Sequence, residues 1–313
     1  MPTKPFEKLL YRDYAKIDAK ELIDVAAPLL QELVNHGTNA FMRCQAEAFG
    51  GEEDEHVPVL TSYLHILEMT DGIEVLISQS CANPAIPLVR SSFEAMLAME
   101  YILGGNYRQR AFAWMVGYVH DRLRFYESVD PNTPRGKRFA AILSKDKVMK
   151  QLNLPPAADP SGAADNMRQL LARRQYQPAA AEYQARKKKG KGRIPQWFSL
   201  FRGPSNLADL AQTLGSGAEY EILYRRWSSL AHGVDVARFL TPTDTGGDAG
   251  LYPLRNAMDL PQIALFGSAH LLEATQMLIR KFRPGEDLSR WYKREVQARF
   301  KRLARIEVRV NLV

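Results

Sequence analysis

Residues 216 to 233 read SGAEYEILYRRWSSLAHG, a short stretch that gathers phenol, hydroxyl, guanidinium and imidazole groups. Ser216 followed three residues later by Glu219 has the form of a capping box, and Gly233 is a natural helix stop. On one helix Tyr224, Ser228 and His232 fall at i, i+4 and i+8 and share a face, with Arg225 nearly two turns before His232. These groups suit metal-independent RNA cleavage. That reaction needs a base at the ribose 2′-hydroxyl, an acid at the leaving oxygen and a cation on the developing phosphorane charge. His232 would move protons, aided by its place at a helix C-terminus, where the dipole favours imidazolium. Arg225 or Arg226 would grip phosphate bidentately, and Tyr224 and Ser228 would orient it. The same residues also read as packing, with His232 capping the last carbonyls and Tyr224 and Ser228 bonding each other.

A second pair lies far upstream. Arg90 and Glu94 stand one turn apart in an apolar helix flanked by Leu88, Val89, Phe93, Leu97 and Tyr101. Buried charge of this kind must be paired. It is either an ion pair that fixes packing or a support for the His232 site, with Arg90 on phosphate and Glu94 orienting the imidazole.

The net charge of +7 is unevenly spread. Residues 1–60 hold 6 Lys/Arg against 11 Asp/Glu, while residues 280–309 hold 11 against 4. Between Arg186 and Arg193 six of eight residues are basic, including Lys187, Lys188, Lys189 and Lys191. The loop and the basic C-terminal helix are each either a solvated surface or a phosphate-binding one, and RNA is the partner that both suggest.

Several function classes are excluded by absence of their motifs. There is no Walker loop, no GxGxxG after a strand and no GxSxG elbow. His65, His120 and His270 have no second ligand at i+4, so neither a metal nor another cofactor is expected. Cys44 and Cys81 form no metal spacing and suit a reducing compartment. No run approaches 18 apolar residues and no signal peptide opens the chain, so no membrane is expected and a cytoplasmic setting is.

The supporting elements read almost wholly as helix. Periodicity predicts helices over about 18–48, 59–80, 84–103, 106–126, 136–152, 162–187, 260–281 and 285–305, with a short one after Ser205. Ile306, Val308, Val310 and Leu312 alternate with polar residues, which predicts a terminal strand that needs a partner, for instance near Leu240 or Leu251. By segment, residues 1–58 form an N-terminal helix and acidic loop, 59–283 the main helical domain, and 284–313 a basic helix and strand. The fold class is all-α, a multi-helix bundle.

RSSFEAMLAMEYIL (Arg90–Leu103) and YEILYRRWSSLAHG (Tyr220–Gly233) resemble an uncharacterised bacterial family, domain of unknown function 5677. Its R-x3-E helix matches Arg90 and Glu94, and its later Y-x3-S-x3-H helix matches Tyr224, Ser228 and His232. The pattern is more distantly similar to HEPN domains, helical bundles that often dimerise and include metal-independent ribonucleases of toxin–antitoxin and antiphage systems. Their arginine, four to six residues, then histidine is met by both Arg225 and Arg226 with His232. A polar residue usually follows that arginine, whereas here Arg226 follows Arg225 and Trp227 follows Arg226. The resemblance implies a HEPN-like bundle, a homodimer and an RNA-cleaving site. Some HEPN members only bind, which leaves a non-catalytic module for a partner protein or nucleic acid as the alternative.

Overall fold

The computed structural model describes residues 16–17, 19–48, 54–149, 151, 159–227, 240–242, 249–251, 255 and 257–307, with the side chains of 225, 226, 240–242 and 249–251 left aside. The chain is all-α in class and forms two compact units, one from residues 1–103 and 211–313, the other from 104–210. Those limits are independent of the segment boundaries at 58 and 283, which rest on charge and loop composition.

Four long helices build the first unit: α1 (Lys20–Ala48), α2 (Val57–Ser78), α3 (Ala82–Leu103) and α10 (Leu260–Phe282). In α1 the buried stripe Leu22, Val25, Leu29, Leu33, Ala40 and Cys44 follows helical spacing, so one face is committed to the core. Gly37 lets the helices close up. A Cβ there would lie 2.8 Å from both Leu67 Cδ2 and the Tyr63 hydroxyl. That hydroxyl donates to the Gly37 carbonyl and meets Thr275 Oγ1 at 2.8 Å, joining α1, α2 and α10 at a buried point. Helix α2 turns into α3 through Ser80, which holds the left-handed conformation at φ 54°.

The second unit is organised around α4 (Tyr107–Val129), started by Asn106, whose side chain accepts from the Gln109 amide. Against it pack α5 (Pro134–Leu143), α6 (Pro160–Ala172), α7 (Gln177–Lys189) and the 3₁₀ segment Trp197–Arg202. Val119, Leu123 and Ala164 form a small core with Tyr126, Met167, Leu170 and Leu171 around it. The single helix expected over 162–187 is two. Arg173 turns extended at ψ 142°, and Pro178, which cannot donate in a helix interior, sits in the first turn of α7 instead.

Short helix α8 (Leu207–Thr213) starts at Asn206, which accepts from the Asp209 amide, while Ser205 bonds the Asp209 carboxylate. After α9 (Gly217–Glu219) comes a π-helix, Tyr220–Arg226. Leu240–Pro242 and Ala249–Leu251 form a three-rung antiparallel ladder with Leu240 opposite Leu251. These two regions pair with each other. The terminal basic helix is broken into Ser289–Trp291, a π turn Tyr292–Val296, and Gln297–Leu303. The strand expected from Ile306 is not supported, because Ile306 and Glu307 lie in no regular element and 308–313 fall outside the described residues. Among the described residues no helix is long and apolar enough to cross a membrane.

Candidate functional site

The first unit brings together the two sequence motifs at one point. Arg90, on α3, places its guanidinium carbon 4.3 Å from the centre of the Tyr224 ring. Tyr224 in turn stacks on Tyr220, centroids 5.0 Å apart and planes 11° from parallel. A cation and two phenol rings thus form one column, with Arg90 only 8% exposed. The Nε of Arg90 is buried without a hydrogen-bond partner. A desolvated cation over a ring face gains about 2 kcal/mol. That offsets only part of the cost of burying a charge with an unspent N–H. Glu94 stands one turn further along the same helix. The surrounding protein pushes its carboxyl above the usual range, and Arg90 pulls it back.

The segment carrying Tyr224 departs from its expected local structure. Ser216 makes no side-chain capping bond, so the capping box does not form. Glu219 turns instead to α10, where its Oε1 lies 2.5 Å from His270 Nε2. The chain then widens into the π-helix, a rare form that often marks functional sites and that replaces plain α-helical winding at Tyr224. Leu223 and Trp227 are buried and anchor the turn, Trp227 edge-on to Phe266. The backbones of Arg225 and Arg226 lie in the π-helix, while their side chains, Ser228 and His232 lie outside the described residues.

Sequence reasoning missed the His270 centre. His270 is 1% exposed, flanked by Phe93 at 5.9 Å and Phe266 at 6.2 Å, and its Nδ1 has no partner. Glu100 of α3 and Glu273 of α10 share that neighbourhood electrostatically. Burial raises the Glu100 carboxyl first, then the negative charges of Glu273 and Glu219. Glu273 is raised by burial and Glu219 and lowered by His270. Beside the imidazole, the Glu100 and Glu273 carboxyls therefore hold their protons more tightly than in water. Ser92 Oγ and Ser268 Oγ, on the same two helices, are also buried without partners. Buried polar atoms are normally satisfied, so this concentration on α3 and α10 is unusual. The signal for it was present as polar residues within apolar helices, His270 and Glu273 on α10 among them. No group of three or more His, Cys, Asp or Glu among the described residues is placed to hold a metal ion.

In the second unit the basic residues Lys187, Lys188, Lys189, Lys191 and Arg193 are all exposed. The first three end α7, where the helix dipole favours cations, and Gly192 at φ 89° turns the chain back.

The model of a family of unknown function (DUF5677) matches residues 56–248, a span that holds both motif helices. No curated protein and no solved structure matches the chain. The match covers more than half of the chain, and the chain belongs to the family of unknown function DUF5677.

Proposed function

We propose that the protein is a metal-independent endoribonuclease, of the HEPN type found in bacterial stress and antiphage systems, working in the cytoplasm as a homodimer. The observation that carries this reading is the seating of Arg90 over Tyr224, because it brings the R-x3-E helix to the segment that leads into Arg225, Arg226, Ser228 and His232. In the reaction the 2′-oxygen bonds to phosphorus and the bond from phosphorus to the 5′-oxygen breaks. The proton leaves the 2′-hydroxyl for a base, and a second proton reaches the 5′-oxygen. His232 serves this transfer, Arg225 or Arg226 holds the phosphate, and Tyr224 and Ser228 orient it. Arg90 holds Tyr224 in place, and Glu94 is the electrostatic neighbour of Arg90.

The products would be a 2′,3′-cyclic phosphate and a free 5′-hydroxyl. Incubation of the full chain with mixed-sequence RNA and mapping of both new ends is the test. We expect His232→Ala to lose at least about 100-fold in rate, the scale of a general acid–base group. It should keep the wild-type melting temperature. Equal cleavage by His232→Ala would overturn the assignment.

One observation favours a second reading, a non-catalytic helical module that binds a partner protein or nucleic acid. Arg90 is buried, and its charge is engaged by the Tyr224 ring, which is how a structural cation behaves. Arg90→Met separates the two. It keeps volume while removing a buried charge, a change that is often neutral or stabilising. Cleavage lost with stability retained supports the nuclease, whereas a lowered melting temperature with no cleavage in the parent supports the module.

A further inference from the structure

The second unit contains a groove that the motif residues do not enter. It is a cleft of about 490 Å³ between α4, α7 and the segment that follows α7. Aromatic and apolar side chains wall it: Trp114 and Tyr118 from α4, Tyr183 from α7, then Ile194, Pro195 and Trp197. Trp114 and Tyr118 lie one helical turn apart and stack nearly parallel, centroids 5.6 Å apart and planes 7° from coplanar. Tyr118 is 40% exposed and Ile194 47%. Gly117, between them on α4, gives the groove its floor. A Cβ at that position would stand 2.8 Å from Trp197 Cβ, so the root of the Trp197 side chain packs directly on bare helix backbone.

Charge frames the same groove. Tyr183 and Ile194 both line it, and the chain that joins them carries the basic run Arg186–Arg193. Arg122 sets its guanidinium carbon 5.2 Å from the centre of the Tyr118 ring. Asp121, an acid on the wall, is paired with Arg124 and so does not face the groove as a free charge. The field of the basic run reaches the wall itself. His120 stacks on Tyr183 at 4.1 Å, and burial, then Lys187 and Arg124, push its pKa down to about 4.

Flat aromatic faces inside a cationic rim are what bind single-stranded nucleic acid. Every base has a π-face to stack, and the backbone follows the positive charge. Duplex bases are already stacked on one another and cannot enter a groove of this kind. An acidic peptide would use the rim but has no need of the rings. We propose that this groove binds single-stranded nucleic acid, with bases on Trp114 and Tyr118 and phosphates along Lys187–Arg193. The proposal shares its ligand class with the nuclease reading but does not depend on cleavage.

Fluorescence anisotropy with the full chain and labelled oligo(U), oligo(dT) and a duplex of equal length tests it. Oligo(dT) has no 2′-hydroxyl, so loss of cleavage cannot be confused with loss of the groove. We expect both single strands to bind, and the duplex to bind at least about ten-fold more weakly, because it forgoes stacking worth that much per base. Tyr118→Ala should weaken both single strands about five-fold or more. Joint replacement of Lys187, Lys188 and Lys189 by alanine should reduce the slope of log affinity against log salt by about two. Trp114→Ala is a second probe. If it fails to fold, the exposed Tyr118 still decides the matter. Unchanged affinity in Tyr118→Ala, equal binding of duplex, or displacement of oligo(dT) by polyglutamate as effectively as by unlabelled oligo(dT) would each overturn the proposal.

Discussion

The two compact units treat polar chemistry in opposite ways. The first hides it: Arg90 and His270 are buried, and each leaves a ring or guanidinium nitrogen without a partner. The second displays it: five cations of the Lys187–Arg193 run are exposed beside an aromatic groove whose walls remain open. Buried unsatisfied groups cost stability and persist where they serve a task, whereas exposed cations cost almost nothing and act at long range. The contrast is the ground for the two proposals, cleavage in the first unit and capture in the second. It also separates what substitutions should do in each.

The largest effect on stability is expected at His270. Its ring fills space between Phe93 and Phe266, and its Nε2 partners Glu219. His270→Ala empties that space and leaves the Glu219 carboxylate without its partner. Together these should cost about 3 kcal/mol, within the range of large-to-small core changes. Chemical denaturation of the full chain measures it. A loss below about 1 kcal/mol, the size of an ordinary surface change or less, would mean that His270 is not part of the packing and that the buried-site description of the first unit fails.

His270 also shows where sequence reasoning reaches its limit. Helix positions followed from apolar spacing, and α1, α2, α3, α4 and α10 lie close to where periodicity placed them. The contact of Arg90 with Tyr224 was not legible: the sequence offered Glu94 or His232 as the partner of Arg90, and the guanidinium lies over the Tyr224 ring. Nor was the partner of Glu219. Its spacing from Ser216 fits a capping box, a local bond, yet a buried imidazole 51 residues away takes it. A charge-assisted bond in a dry site outweighs a cap at the surface. The π-helix was hidden for a related reason: Leu223 and Trp227 must both reach the core, and packing sets the winding of the turn between them. The groove gave no local signal, since Trp114 and Trp197 are far apart in sequence and only the fold makes them neighbours.

The next effect sharpens the comparison through pH. In the first unit Glu100 has a raised pKa, so the folded state holds its proton more tightly than the unfolded chain does. Stability from this group is full below the ordinary carboxylate range and is lost as pH rises through the folded value. In the second unit His120 has its pKa lowered from 6.5 to about 4, so the unfolded chain binds the proton first. Its contribution is full above pH 6.5 and is lost as pH falls toward about 4. Glu100→Gln should therefore stabilise the protein at pH 7 and do little at pH 4. His120→Phe, which keeps the stack on Tyr183, should have its largest stabilising effect near pH 4 and less at pH 7. Melting curves of both variants across that range check the signs, and parallel curves for the two would remove the electrostatic contrast between the units.

The smallest effect should be the most telling. Replacing Lys187, Lys188 and Lys189 together by alanine touches three exposed side chains at the end of α7. Surface changes of this kind stay within about 0.5 kcal/mol each, and loss of favourable dipole interactions is offset by the relief of repulsion among like neighbours. Lys187 also depresses the His120 pKa, so its removal should let that pKa climb, which NMR titration of the imidazole can follow. The melting temperature should therefore hardly move while the His120 titration shifts upward. A large fall in melting temperature would mean that the run is scaffold. A display surface can lose its charge without loss of the fold beneath it, whereas the buried site of the first unit cannot lose His270 on the same terms.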